Sequence, residues 1–261
     1  MLWKTSALNG LPIISDNGDA GVLEQFLFDD QNGVIRYIVI DFGTHHAYKR
    51  KLLSPIAVHK ISRRGLHIKV SAQLLRNSPD IDTAAPVSRQ MEEELHKYYS
   101  LPCYWLFSES YTLLGGAIYP GISIPYAYPA AGDDVEFTEI QSRESHLENT
   151  VSSSHLRLTN EIKGYLAVAT DGEIGPLVDV LIDDKQSIIK FLIIDTGHFF
   201  PGRKVLLPFF MVKKIEWTSA SMNVSVDKKT IRESPVYNQD YPVTEDYEKR
   251  ILGYYNPEKK Q

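Results

Sequence analysis

The sequence predicts a mainly β fold: two small β-barrels in tandem, each followed by a short helical appendix. The chain of 261 residues repeats itself at a period of about 155. Each copy carries short apolar runs broken by Gly, Asn and Asp turn signals. Each copy also ends in apolar residues at helical spacing. A period this long exceeds that of solenoid repeats, so it marks duplicated domains.

The repeat is collinear. Asn9-Gly10 aligns with Lys163-Gly164, Asn17-Gly18 with Asp171-Gly172, and Gly21 with Gly175. Asp29-Asp30 meets Asp183-Asp184. The run VIRYIVID ending at Asp41 meets IIKFLIID ending at Asp195, and Gly43 meets Gly197. After one gap, Pro55 meets Pro208. Ser78-Pro79 then meets Ser234-Pro235, Pro86-Val87 meets Pro242-Val243, and Tyr98-Tyr99 meets Tyr254-Tyr255.

Within the first copy, residues 11–15 form an apolar run before the turn Asp16-Asn17-Gly18. Residues 22–28 form a second run that stops at Asp29-Asp30-Gln31-Asn32-Gly33, a hairpin signal. Residues 34–40 are β-branched and apolar on both parities, which predicts a strand buried on both faces. Leu66, Ile68 and Val70 alternate with His67 and Lys69, as in a half-exposed strand; Met222, Val224 and Val226 repeat the pattern. Met91, Leu95, Tyr98 and Tyr99 share one helical face, as do Tyr247, Ile251, Tyr254 and Tyr255. Ser88 and Thr244 stand at the N-cap positions, and Glu245 and Asp246 suit a first turn. Several short strands with tight turns favour a small closed barrel, which leaves no exposed edge.

Charge divides the chain. Lys and Arg number 28 and Asp and Glu 33, a formal net charge of −5. Residues 1–105 carry 12 basic and 11 acidic side chains, residues 106–154 carry 1 and 7, and residues 155–261 carry 15 of each. The organisation read from this is a first barrel with its appendix over 1–105, a variable linker over 106–154, and a second barrel with its appendix over 155–261. The linker begins with an uncharged Tyr/Pro/Gly stretch (110–132) and turns acidic from Asp133. Its prolines Pro120, Pro125 and Pro129 speak against a membrane-spanning helix. No signal peptide is read at the N-terminus, and a cytoplasmic, bacterial protein is expected. The overall acidity disfavours a broad grip on nucleic acid, although either barrel is free to present a local basic face.

These residues resemble the PRC-barrel family, named after the cytoplasmic barrel of the photosynthetic reaction centre H subunit. The resemblance rests on the Gly-x-x-apolar-x-x-Asp/Asn-Gly-x-x-Gly pattern, the Asp-Asp pair, and the β-rich run ending in Asp-x-Gly. The second copy matches better: GHFFPGRKVLLP, from Gly197 to Pro208, is similar to the family's glycine-rich loop and following strand. The first copy reads GTHHAYKRKLLSP and lacks the Pro-Gly pair. The resemblance implies adaptor or docking modules, and hence a non-enzymatic binding protein with an unknown protein partner and no cofactor. Tyr111, Tyr119, Tyr126, Tyr128, Arg203 and Lys204 are the candidate partner-binding residues.

Other chemistry finds thin support. Cys103 is the only cysteine, so no intrachain disulfide or cysteine-built zinc site exists. Asp41, His45 and His46, with Asp195 and His198 in the second copy, are the weak metal or acid–base candidates. Asp beside a tight turn has a local explanation as well, because it bonds its own backbone. Basic residues cluster at Lys49-Arg50-Lys51, at Lys60, Arg63 and Arg64, at Arg203-Lys204, and at Lys213-Lys214. They suit either a phosphate or acidic partner or the protection of a strand edge. A metal-dependent enzyme and a membrane-surface regulator are the alternative readings; a homo-oligomer is left open.

Overall fold

A computed structural model of the chain describes residues 1–43, 50–81, 87–101, 155–197 and 203–256. The described residues form two seven-stranded sheets with the same strand order. The first contains β2 (Pro12–Ser15), β3 (Gly18–Asp29), β4 (Ile35–Asp41), β5 (Arg50–Leu53), β6 (Val58–Ser62) and β7 (Gly65–Ile68). The second contains β9 (Leu166–Ala169), β10 (Gly172–Asp183), β11 (Ile188–Asp195), β12 (Lys204–Pro208), β13 (Val212–Glu216) and β14 (Ser221–Val224). The orders are β5-β4-β3-β2-β7-β6 and β12-β11-β10-β9-β14-β13. No ladder among the described residues joins the two ends of either path, so closure of the expected barrels is not formed by strand pairing there.

The seventh strand of each sheet comes from the other half of the chain. β1 (Leu2–Lys4) pairs with β10, and β8 (Leu156–Leu158) pairs with β3. The exchange is reciprocal in register. Leu2 faces Asp183 while Leu156 faces Asp29, and Lys4 faces Leu181 while Leu158 faces Leu27. The reason lies in the length of β3 and β10. β4 lines one edge of β3 from Val22 to Phe28, but β2 covers the other edge only up to Val22. β8 fills the rest of that edge, as β1 does on β10. Without these strands, buried backbone groups would lack partners.

The seam has internal two-fold character. Val34 and Ile188, which occupy equivalent positions in the repeat, bridge each other in antiparallel fashion. The Ile35 amide donates to the Ser187 carbonyl at 2.8 Å, and the Ile189 amide donates to the Gly33 carbonyl at 2.8 Å. Such mutual contacts define an isologous interface. Phe28 of the first sheet meets Phe209 edge-on, with centroids 6.3 Å apart. Buried side chains of both halves form one continuous core, with Phe26, Phe28 and Phe191 among its largest members.

Structure also corrects the sequence alignment. β5 and β12, and then β6 and β13, stay in the same offset, so Pro55 is the counterpart of Phe209 and not of Pro208. The repeat changes offset later, in the turn before β7 and β14. That turn is Arg63-Arg64 in the first half and Trp217 to Ala220 in the second.

A short helix follows each sheet, α2 (Ala72–Asn77) and α4 (Lys228–Glu233), and a longer one follows it, α3 (Arg89–Tyr98) and α5 (Glu245–Tyr255). Ser88 and Thr244 do cap the longer helices, each accepting an amide at 3.2 Å. The two Tyr-Tyr pairs divide the labour. Tyr98 and Tyr254 donate to the Leu74 and Thr230 carbonyls at 2.8 and 2.6 Å, fastening each long helix to the short one. Tyr99 and Tyr255 are buried, and burial raises both phenols, Tyr255 to about 12. Glycines mark close approaches. A Cβ on Gly21 would lie 2.6 Å from the Asp41 carbonyl oxygen, and Gly175 approaches Asp195 in the same way.

Two outcomes follow from the exchange. Residues 1–105 and 155–261, produced as separate polypeptides, are expected to fold only when mixed. Circular dichroism of each alone, and light scattering of the mixture showing a 1:1 complex, check this. Gly33 has φ +75°, and a Cβ there would meet the Phe209 ring at 2.7 Å, whereas Gly10 has φ +81° in open space. Gly10→Ala should cost about 1 kcal/mol for backbone strain alone. Gly33→Ala should cost about 1–3 kcal/mol more, because the seam is overpacked. Urea unfolding of both variants gives the difference.

Candidate functional site

The paired aspartates lie at the seam. The first of each pair closes its own hairpin. Asp29 accepts from the Gln31 amide at 3.1 Å, Asn32 Nδ2 at 3.0 Å and Arg36 at 3.1 Å. Asp183 accepts from the Lys185 amide at 2.9 Å and from Lys190 Nζ at 3.0 Å. Burial works against the ionised Asp183, but Lys190, the local amide and nearby positive charge outweigh it, so the carboxyl titrates below its ordinary value. The second aspartate of each pair reaches across the seam. Trp3 Nε1 donates to Asp184 at 3.1 Å, and Trp217 Nε1 donates to Asp30 at 3.2 Å. His155 Nδ1 lies 3.4 Å from Asp30, and Arg157 stacks over the Trp217 ring at 4.9 Å.

Asp179 is the most enclosed carboxylate of the seam, 4% exposed. Thr5 Oγ1 and Ser6 Oγ of the first half donate to it at 2.6 and 2.5 Å, and Lys163 Nζ lies 3.2 Å away. Desolvation pushes this carboxyl up. The Ser6 and Thr5 hydroxyls, the Lys163 charge and the Val180 amide together push harder in the opposite direction, and the net result is a lowered value. Its counterpart in the first half is Gln25, so this locking point occurs once. Sequence reading missed it because Asp179 carries no motif and its partners lie far away in the chain.

The sequence candidates separate in space. Asp41 Oδ1 accepts from the Gly43 amide at 2.8 Å, and Asp195 Oδ1 accepts from the Gly197 amide at 2.8 Å. Both therefore form Asx turns at strand ends, the local explanation for an Asp-x-Gly motif. His45, His46, His198, Tyr111, Tyr119, Tyr126, Tyr128 and Cys103 lie outside the described residues. No group of three His, Cys, Asp or Glu side chains suited to a metal occurs among the described residues.

The basic clusters fall into two kinds. Arg50 pairs with Glu24 through two contacts of 2.6 and 2.7 Å. Lys51, 4% exposed, donates to the Ser78 carbonyl and pairs with Asp80. Arg203 donates to the Ser234 carbonyl at 2.5 Å, and Lys204 donates to Gln239 at 3.1 Å. Lys51, Arg203 and Lys204 thus fasten β5 and the start of β12 to the segments after the short helices, while Arg50 ties β5 to β3. Lys60, Arg63 and Arg64 are exposed and make no ion pair among the described residues. In the second half Lys214 is neutralised by Glu216 at 2.7 Å.

Comparison with known proteins gives one family. Residues 156–232, which run from β8 into the short helix α4, match the PRC-barrel domain. No curated protein matches the chain. The match covers the second sheet's β9 to β14, together with the β8 strand that this half contributes to the first sheet. No helix among the described residues is long and apolar enough to cross a membrane.

Asp179 yields a pH test. A carboxyl that titrates lower in the folded state stabilises the fold above the unfolded Asp range, and this contribution is lost as pH falls through the lowered value. Asp179→Asn should reduce stability by about 1–3 kcal/mol at neutral pH. It should also flatten the loss of stability below about pH 4. Melting temperature against pH for both proteins measures this.

Proposed function

We propose that the chain is a non-enzymatic binding or adaptor protein made of two PRC-type barrels in tandem, the first a diverged copy of the second. The observation that carries this is the pairing of a PRC-barrel match over residues 156–232 with a first sheet of the same strand order. The aspartates that recur in both halves support the same reading. Asp41 and Asp195 are engaged by their own turns, and Asp29, Asp30, Asp183 and Asp184 by hairpins and seam. Under this reading the seam fixes one barrel against the other, and function resides in the outward surfaces.

The test is recovery of a partner from the native host. The tagged chain at its natural expression level, crosslinked in cells and analysed by mass spectrometry, should enrich a protein in near-stoichiometric amount. Asp41→Asn and Asp195→Asn together should leave that enrichment unchanged. Absence of any enriched protein, with a melting temperature that rises on adding zinc or manganese, would count against the adaptor and for a metal-dependent activity.

A further inference from the structure

Each strand path has two ends, and they are not equally exposed. The β12 edge is covered by Val236, which bridges Val205, and by the Tyr237 amide, which donates to the Lys204 carbonyl at 2.9 Å. At the β5 edge, the Ile81 amide donates to the Arg50 carbonyl at 3.2 Å. β6 and β13 end the paths, and among the described residues neither pairs with any strand beyond β7 and β14. Such an edge presents a row of backbone donors and acceptors to an incoming strand.

Charge distinguishes the two open edges. The β6–β7 hairpin carries Lys60, Arg63, Arg64 and Lys69, all exposed, together with His59 and His67, and no acidic residue. Lys60 faces His67 across the ladder, and Lys69 follows two positions on, so the three share the outward face while Leu66, Ile68 and Val70 point to the core. In the β13–β14 hairpin, Asn223 replaces His67 and Ser225 replaces Lys69, Glu216 pairs with Lys214, and Lys213 is the remaining exposed lysine. The cationic face is therefore denser in the first half, where four exposed Lys/Arg side chains stand against Lys213 and the paired Lys214 of the second. The Arg63-Arg64 turn is itself closed, with Ser62 Oγ donating to the Gly65 carbonyl at 3.1 Å and accepting the Arg64 amide at 3.2 Å.

We propose that the β6 edge docks an extended acidic segment of a partner protein, which adds to the first sheet as a further strand. The open backbone row supplies main-chain hydrogen bonds, and the Lys/Arg face selects for carboxylates. The same charge repels the β6 edge of a second copy, so the edge is closed to self-pairing and open to an acidic strand. A lipid surface fits less well, because residues 58–70 expose no large apolar side chain for insertion. The site rests on the adaptor reading and supplies the chemistry of its partner.

The probe is a labelled peptide of about ten residues alternating Glu with Val or Thr, a length matched to an ordinary strand. Anisotropy with the full chain should show binding that weakens as salt rises. Methylating the peptide's backbone nitrogens along one edge should abolish binding, and Lys60→Glu with Arg63→Glu should weaken it by about tenfold or more. Hydrogen exchange should slow at Val58–Ser62 when the peptide is bound. Equal binding of the methylated peptide, no binding at low salt, or preferential binding to anionic vesicles or single-stranded DNA each overturns the proposal. If the double variant still recovers the native partner in the crosslinking experiment, the β6 site is wrong while the adaptor reading stands.

Discussion

The structure depends on a half-covered strand edge. β3 and β10 are each twelve residues long, and their own neighbours on one side stop short. Backbone amides and carbonyls in a packed interior must find partners, so the remaining stretch needs a strand from elsewhere. Each half supplies it to the other. From that requirement come the reciprocal β1 and β8 ladders, the Val34–Ile188 bridge and the contacts of Asp30, Asp179 and Asp184 across the seam. Two units that read as tandem barrels joined by a linker are therefore halves of one packed body.

Much of this was legible in the sequence because it follows from local periodicity. Residues 34–40 read as a strand buried on both faces, and Ile35 to Ile40 are buried. Ser88, Thr244 and the Tyr-Tyr pairs mark helices whose caps and clamps are present. The strand exchange was not legible. Leu2–Lys4 and Leu156–Leu158 are three residues each, too short for alternation to show, and their partners lie more than a hundred positions away. The alignment slipped at Pro55 because a shared proline outweighed the register that only the β4–β5 and β11–β12 ladders fix. Of the site candidates, the Asp-x-Gly aspartates turned out to serve their turns. The exposed cations of the β6–β7 hairpin stand apart from the paired cations of β5 only once Glu24, Ser78 and Asp80 are placed beside the latter.

The skeleton is symmetric and the side chains are not. Asp179 faces Gln25 in the comparison of halves, Phe209 faces Pro55, and Lys69 faces Ser225. Such differences accumulate where a duplicated interface needs only one good lock, and where one outward surface has a task that its twin lacks. Asp179 concentrates hydroxyl and ammonium donors, while Phe28 and Phe209 make an apolar contact between the halves. Polar anchoring and apolar filling are thus assigned to different places along one interface.

The exchange also sets an order of events during synthesis. The Phe26 amide and its partner Thr159 are 133 residues apart, and Trp3 and Asp184 are 181 apart. A ribosome must deliver the chain through β10 before β1 finds its place, and β3 stays incomplete until β8 has emerged. Loop closures this long slow the search for native pairing and leave strand edges open to neighbours meanwhile. A nascent chain of this design is at risk of capture by chaperones, or by the same half of another chain on the same message.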